Sequence, residues 1–423
     1  MTKKINIDLQ LGKVGKIVQI LACILCCCPA TDKVHAQTLA NSPYSYFGVG
    51  NIFKKGSSHN RSLGSTGIGL RDGYSINNIN PASYTAITPP FTQLTEVGVM
   101  TTFGIQEEKG KSSNVTDMDF TGMALWFRLH ANWAASIGLT PYSNVQYNII
   151  SEESFTGLGG DITSHYVGSG GLNNLYFGLA HTLFNHLSLG AHVSYIFGSL
   201  NAEQQITASN MGNAWNVTER TYLHAFKVDV GMQYAFRWKQ SELIVGAVLD
   251  VGNDLQGTHY YEVSQSEEIT EEEETTVDDY ILPAAAGFGL SWSRYEKWRI
   301  ALDVAAERWS DATFAEGYQL QDTQRFSVGV ETLPDPQDPS YLRRMSFSLG
   351  AFHEENYLVI SDHDLTTNGI SAGIKFPTAG ASRLHFTIEH YISGNNNLIV
   401  QRYTQLGFNM SFFDLWFAKL RLE

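Results

Sequence analysis

From residue 92 onward, apolar and polar positions alternate along the chain with a period of two. In the run from Trp298 to Glu307, Trp298, Ile300, Leu302, Val304 and Ala306 share one face. Arg299, Ala301, Asp303, Ala305 and Glu307 share the other. In the run from Leu187, Leu189, Ala191, Val193, Tyr195 and Phe197 alternate with Ser188, Gly190, His192 and Ser194, and Met345, Phe347, Leu349 and Ala351 alternate with Ser346, Ser348 and Gly350. Successive strand residues point to opposite sides, so each set predicts a β-strand with one apolar and one polar or small face. The runs are roughly 10–20 residues long, against about 5–6 for strands of soluble proteins, and about 14 of them can be counted.

A soluble sandwich would also alternate. Two further features favour a transmembrane barrel. Short turns are expected near residues 130–132, 183–186, 237–241 and 294–297, and long polar loops near 151–171, 200–215, 266–276 and 310–321, which is the asymmetry of an outer-membrane barrel. Trp126, Trp133, Trp292, Trp298, Trp309 and Trp416 fall near strand ends, where interfacial aromatic girdles sit. The predicted fold is therefore all-β: a transmembrane antiparallel β-barrel of about 14 strands over residues 91–411. Residues 412–423 read as a short C-terminal periplasmic tail or an edge strand.

The first 36 residues change where this barrel must be. Lys3, Lys4, Lys13 and Lys16 precede an apolar stretch from Ile17 to Ala30, and Val34-His35-Ala36 offers a small-x-small cleavage site. That is a cleaved signal peptide, too short to span a bilayer. A second reading takes Ile20-Leu21-Ala22-Cys23 as a lipoprotein signal. All four cysteines, Cys23, Cys26, Cys27 and Cys28, lie in this segment, so the exported chain uses no disulfides. Removing residues 1–36 takes away five lysines and two aspartates, which leaves 23 basic and 40 acidic residues and a net charge of −17. Such a surface repels nucleic acid.

Between signal and barrel, residues 37–90 show little alternation and carry Gly48, Gly50, Gly56, Gly64, Gly67, Gly69 and Gly73. A segment of this kind before a wide barrel is expected to fold into the lumen as a hatch or plug. Tyr44, Tyr46, Phe47, Phe53 and Tyr84 are its candidate packing aromatics, and Pro81 fixes one turn.

The stretches 42–52 and 63–84, with Asn80, Pro81 and Ala82 just ahead of the first strand, resemble the FadL/TodX family of outer-membrane transporters for hydrophobic compounds. The resemblance implies an N-terminal hatch carrying an Asn-Pro-Ala box, and a third strand that kinks inward and opens the wall sideways. Gly138 and Pro141 are the candidates for that lateral opening, because proline cannot donate to a strand ladder. Phe155, Leu158, Tyr166 and Leu172 are the candidates for an apolar substrate groove among the outer loops. The implied function is a channel or transporter for small hydrophobic compounds with hatch-gated lateral exit. The alternative within the same family resemblance is an accessory or shuttle barrel of a protein secretion machine of the type IX kind. Partners would then be outer-membrane lipid and lipopolysaccharide, a small hydrophobic ligand, or secretion-system proteins. The chain is expected in the outer membrane, with no nucleic acid, cofactor or metal.

Catalytic motifs do not emerge. The "HEEN" at His353 is not a metal-binding helix motif, no nucleophile elbow occurs, and "GIQEEKGKS" from Gly104 misses phosphate-loop spacing between two strands. His363 beside Asp362 and Asp364 reads as a solvated loop rather than a cation site. The acidic run from Glu262 to Asp279 reads as a mobile outer loop, or as a binder of divalent cations bridging to lipopolysaccharide. The chain is read as not an enzyme.

Overall fold

The computed structural model describes residues 42–87, 91–155, 160–208, 214–265, 268–294, 297–313, 319–378 and 382–414. Residues 1–41, which include the expected signal peptide, together with Leu158, Trp416 and residues 415–423 of the expected C-terminal tail, lie outside the described residues. Fourteen antiparallel wall strands close into one barrel. They are β1 (Gln93–Glu108), β2 (Lys111–His130), β3 in two pieces (Trp133–Pro141 and Tyr147–Phe155), β4 (Gly160–Leu183), β5 (Leu187–Ala208) and β6 (Trp215–Trp238). Next come β7 (Ser241–Asp250 and Asn253–Gln265), β8 (Glu268–Leu282 and Ala285–Arg294), β9 (Trp298–Glu307) and β10 (Thr323–Thr332). β11 (Ser346–Ile360), β12 (His363–Pro377), β13 (Arg383–Gly394) and β14 (Val400–Asp414) complete the wall. β14 pairs with β1, from Asp414 opposite Gln93 to Val400 opposite Glu107, and this seam closes the ring. Phe412, Phe413 and Asp414 are thus part of the last strand.

The alternation read from the sequence sorts the residues between two environments. Ile300, Leu302 and Val304 of β9 are exposed on the outside, while Arg299, Ala301 and Asp303 are buried on the inside. Along β6, Phe226, Val228, Val230, Met232, Tyr234 and Phe236 face out, and Lys227, Asp229 and Gln233 face in. An apolar exterior around a charged interior inverts the soluble arrangement and suits lipid outside. No helix among the described residues is long and apolar enough to cross a membrane; the crossing is by strands.

Three expectations need correction. Three of the four regions expected as long polar loops, 151–171, 200–215 and 266–276, are largely strand among the described residues. β4 runs for 24 residues and starts at Gly160, β5 extends to Ala208, and β7 pairs with β8 out to Gln265 opposite Glu268. Their polar residues hold a ladder because pairing needs only backbone groups, and threonine, valine and isoleucine keep these stretches extended. The acidic run is accordingly a paired hairpin, with Glu262 opposite Glu272 and Tyr261 opposite Glu273. Finally, Trp126 and Trp309 are not girdle residues. Both are fully buried inside: the Trp126 indole donates to the Tyr84 carbonyl at 2.9 Å, and Trp309 stacks on Tyr357. Trp133 and Trp292 do face outward.

Candidate functional site: a luminal segment and a break in the wall

Residues 42–87 contain little regular structure: a 3-10 turn at Pro43–Tyr46, a helical turn at Ser58–Ser62 and a 3-10 turn at Pro81–Ala86. This segment carries Lys54, Lys55, Arg61 and Arg71 against Asp72, a net charge of +3 within an acidic chain. Its partners are the inward-facing charges of the wall. Lys55 bridges Asp229 and Asp250 at 3.3 and 3.2 Å, and Asp250 also holds Lys227 at 3.0 Å. Lys54 and Arg325 share Glu354. His59 meets Glu331 at 2.8 Å and Asp72 at 3.1 Å; Arg299 also pairs with Glu331, and Lys375 with Asp72.

Burial and the Lys375 charge both favour neutral His59, but Glu331 and Asp72 outweigh them and raise its pKa. Burial alone would raise Asp72; Lys375 and His59 instead hold it well below the usual carboxylate range. A raised histidine pKa stabilises the seated segment below the ordinary value of 6.5, and that contribution is lost as pH rises through the raised pKa. The thermal midpoint in detergent should therefore fall as pH is raised from 6.5 in the parent and not in His59→Gln. A parallel pH profile in the two proteins would contradict this.

Glycines let the segment lie directly on the strands. An added Cβ at Gly246 would stand 2.1 Å from the Ile68 carbonyl oxygen, at Gly350 2.1 Å from the Gly64 nitrogen, and at Gly190 2.5 Å from the Ala82 nitrogen. These glycines come in opposed pairs: Gly190 with Gly231, Gly246 with Gly289, and Gly329 with Gly350. Each pair is a flat shelf of bare backbone. Asn80, Pro81 and Ala82 are buried on the first of them. Asn80 Nδ2 donates to the Ile68 carbonyl at 2.8 Å and to that of Met232 at 3.2 Å, while its Oδ1 accepts from Ala82 N–H at 3.1 Å. These contacts lie at β6, three strands from Pro141, so Asn80 does not bond beside β3. Asn80→Ala takes away the acceptor of the buried Ala82 N–H and one of two donors to the Ile68 carbonyl, and should destabilise the folded protein by about 1–3 kcal/mol, read from denaturant unfolding in detergent. Full parental stability would refute its role as a tie.

The wall itself is broken at β3. β2 pairs with β3 only from Met123–Leu139 to His130–Trp133. Beyond that, the outer piece of β3 pairs with β4 alone. Between the pieces the chain bends inward, and Ser143–Asn144 forms a two-stranded sheet with Asn51–Ile52 of the luminal segment. Phe53 N–H donates to the Tyr142 carbonyl at 2.9 Å. Pro141 ends the inner piece of β3. Gly138 lies within the intact ladder, paired with Ala124 and Tyr176, and a Cβ there would meet the Tyr176 ring. On the β2 side Thr121 is an extra residue in a bulge, next to Gly122 at φ 145°.

A cavity of about 180 Å³ meets the break at Thr121, Thr140, Pro141 and Tyr142. Ile52, Phe53, Ile68, Ile79 and Val248 give it an apolar side, and Lys55, Asp229 and Asp250 a charged one. A second cavity of about 190 Å³ shares Lys54, Arg61, Arg325 and Glu354 with it. Of the groove candidates, Tyr166 and Leu172 line neither cavity. Leu172 is fully buried against Val49, Ile196 and Leu255; Tyr166 packs its ring near Tyr46; Phe155 ends β3. Sequence reasoning missed Lys55, Arg61, Thr121, Tyr142 and Glu331, among others; for the charged ones there was one signal, a basic segment opposite charges such as Glu331 at inward strand positions.

No curated protein matches the sequence. A family description, BamG, matches residues 16–423. The fold is that of several solved barrels. The toluene transporter TbuX of Ralstonia pickettii superposes with a TM-score of 0.61 at 14% identity, covering 85% of this chain and 98% of that one. The toluene transporter TodX of P. putida gives 0.58 at 14%, covering 86% and 100%. A Pseudomonas aeruginosa FadL homologue gives 0.55 at 10%, covering 85% and 98%. At these identities the likeness is one of fold. With the apolar outer wall it makes the chain an integral outer-membrane barrel.

Proposed function

The chain belongs to the BamG family, and on that premise we propose that it passes a small, largely apolar solute from the outer face into the membrane through the break between β2 and β3. One observation carries this reading: the cavity of about 180 Å³ reaches the place where β3 leaves β2. A solute there has an apolar surface along Ile52, Phe53 and Pro141, and an opening toward lipid that avoids water. The edge that β2 leaves free at the break needs a reason, because unpaired strand edges invite aggregation; a further edge, that of Glu268–Leu282, pairs with β7 alone. The toluene transporters named above share the fold and support the solute class. The luminal segment gates the route in this reading, since Asn51–Ile52 is stitched to the bend of β3.

Pro141→Val supplies the missing N–H and a β-branched strand former, so the two pieces of β3 should straighten onto β2. Cells making this variant at parental surface level are expected to take up labelled toluene more slowly than cells making the parent. Equal uptake, beside clear uptake by the parent, would sink lateral exit. A second reading, an accessory barrel that acts through protein contacts, is favoured by how firmly Lys54, Lys55 and His59 brace the luminal segment. No parental uptake above barrel-free cells would leave that reading standing.

A further inference from the structure

Among the charges lining the second cavity, of about 190 Å³, Arg61 and Glu389 are the two that are buried and outside the ion-pair clusters; Asp119 and Glu307, also outside them, are half-buried. Arg61 sits on the helical turn Ser58–Ser62 and is 8% exposed. Its guanidinium has no carboxylate within ion-pair distance among the described residues; one arm reaches the Met100 sulfur at 3.6 Å, and Nε has no hydrogen-bond partner. Glu389 of β13 faces the same cavity and is 7% exposed. It makes no ion pair among the described residues, and its Oε2 has no hydrogen-bond partner. Arg61 lies near enough to act on Glu389 through space but does not touch it.

Burying an ion without a partner is expensive, and proteins normally pair or hydrogen-bond every such group. Here a cation from the luminal segment and an anion from the wall border one cavity and stay apart. The turn that carries Arg61 is fixed: Thr387 donates to the Ser58 carbonyl at 2.9 Å, and Ser348 meets the Ser62 hydroxyl at 2.8 Å. A free anion would satisfy Arg61 and leave Glu389 alone; a free cation would do the reverse. A molecule with both charges satisfies both and adds no net charge. Tyr391 and Tyr403, with ring centres 5.4 Å apart, flank the cavity and offer an apolar surface to the rest of such a molecule.

We propose that this cavity binds a small zwitterion, an α-amino acid, with its carboxylate on Arg61 and its ammonium on Glu389. The ligand bridges the luminal segment to the wall, so its presence favours the seated segment. The site adjoins the route proposed above, since Arg61 lines both cavities, but binding there does not require transport.

The test is calorimetric titration of the full-length protein in detergent with glycine, leucine and phenylalanine. Phenethylamine and 3-phenylpropionate serve as single-charge controls. Phenylalanine should bind, and both controls should bind at least about tenfold more weakly, since each leaves one buried charge unpaired. Arg61→Gln and Glu389→Gln should each lose at least about tenfold in affinity, with Arg61→Lys and Glu389→Asp recovering part of it. No heat with any of the amino acids would overturn the proposal. So would 3-phenylpropionate binding as tightly as phenylalanine. The controls act on the parent protein, so they decide the matter even if a variant fails to fold.

Discussion

Valine in place of Gly246 is expected to unseat residues 62–82 and raise single-channel conductance in planar bilayers severalfold, toward that of a protein lacking residues 43–86. The added Cβ would stand 2.1 Å from the Ile68 carbonyl oxygen and 3.1 Å from the Gly69 Cα. These are backbone atoms, which cannot rotate aside as a side chain can. Ile68 is also held from other directions: its N–H donates to Asp303 at 2.8 Å, and its carbonyl accepts from Asn80 and Gln233. Either that knot opens or the wall bulges, and overpacking of this kind costs about 1–3 kcal/mol even where side chains can adjust. The wall should survive, because Gly246 keeps its ladder to Gln233 and Gly289. A conductance equal to the parent's, in protein that migrates as a folded barrel, would show that the glycine shelves do not seat the segment.

The second large effect is expected at Glu331. Its two oxygens each hold one buried cation, Arg299 at 2.8 Å and His59 at 2.8 Å. Glu331→Ala leaves both without that carboxylate in a site where the side chains of Glu331 and His59 are almost wholly buried. Breaking a buried ion pair from one side costs about 3–5 kcal/mol. That loss should be read as a lower midpoint in guanidinium unfolding followed by tryptophan fluorescence. Glu331→Gln keeps a hydrogen-bond acceptor and should lose less. If alanine and glutamine are both as stable as the parent, the cluster does not hold the segment.

The sequence makes the wall legible and the lumen mostly illegible, for one physical reason. Each wall strand reports its own environment through period two, as β9 does with Ile300, Leu302 and Val304 against Arg299 and Asp303. Contacts of the luminal segment are made across the ring instead. His59 meets a residue 272 positions away and Lys375 reaches one 303 positions away. No local pattern encodes such pairs. The tryptophans show the same limit: Trp126 and Trp133 look alike in sequence, but one donates to Tyr84 inside and the other faces out. Pro141 could be read because proline states its own constraint, the missing donor. The glycine shelves could not be read, because a strand glycine is meaningful only when its partner across the ladder and the chain lying on it are known.

The seam between β1 and β14 has a consequence for the order in which the molecule can assemble. The luminal segment precedes all fourteen strands in the chain, but its anchors come from every part of the ring. Lys55 needs β6 and β7, His59 needs β10, and Ser42 receives a hydrogen bond from Gln401 of β14. Arg71 and Lys55 find their partners on β5 to β7, His59 on β10, Lys54 on β11 and Ser42 on β14, so the segment's ties are gained in steps as strands are added. Contacts so distant in sequence form late and slowly. Seating the segment therefore tracks the growth of the ring: a barrel that stops short of β10 leaves Lys54 and His59 without the carboxylates of β11 and β10, and its incompleteness is visible from the water-filled side as unneutralised charge.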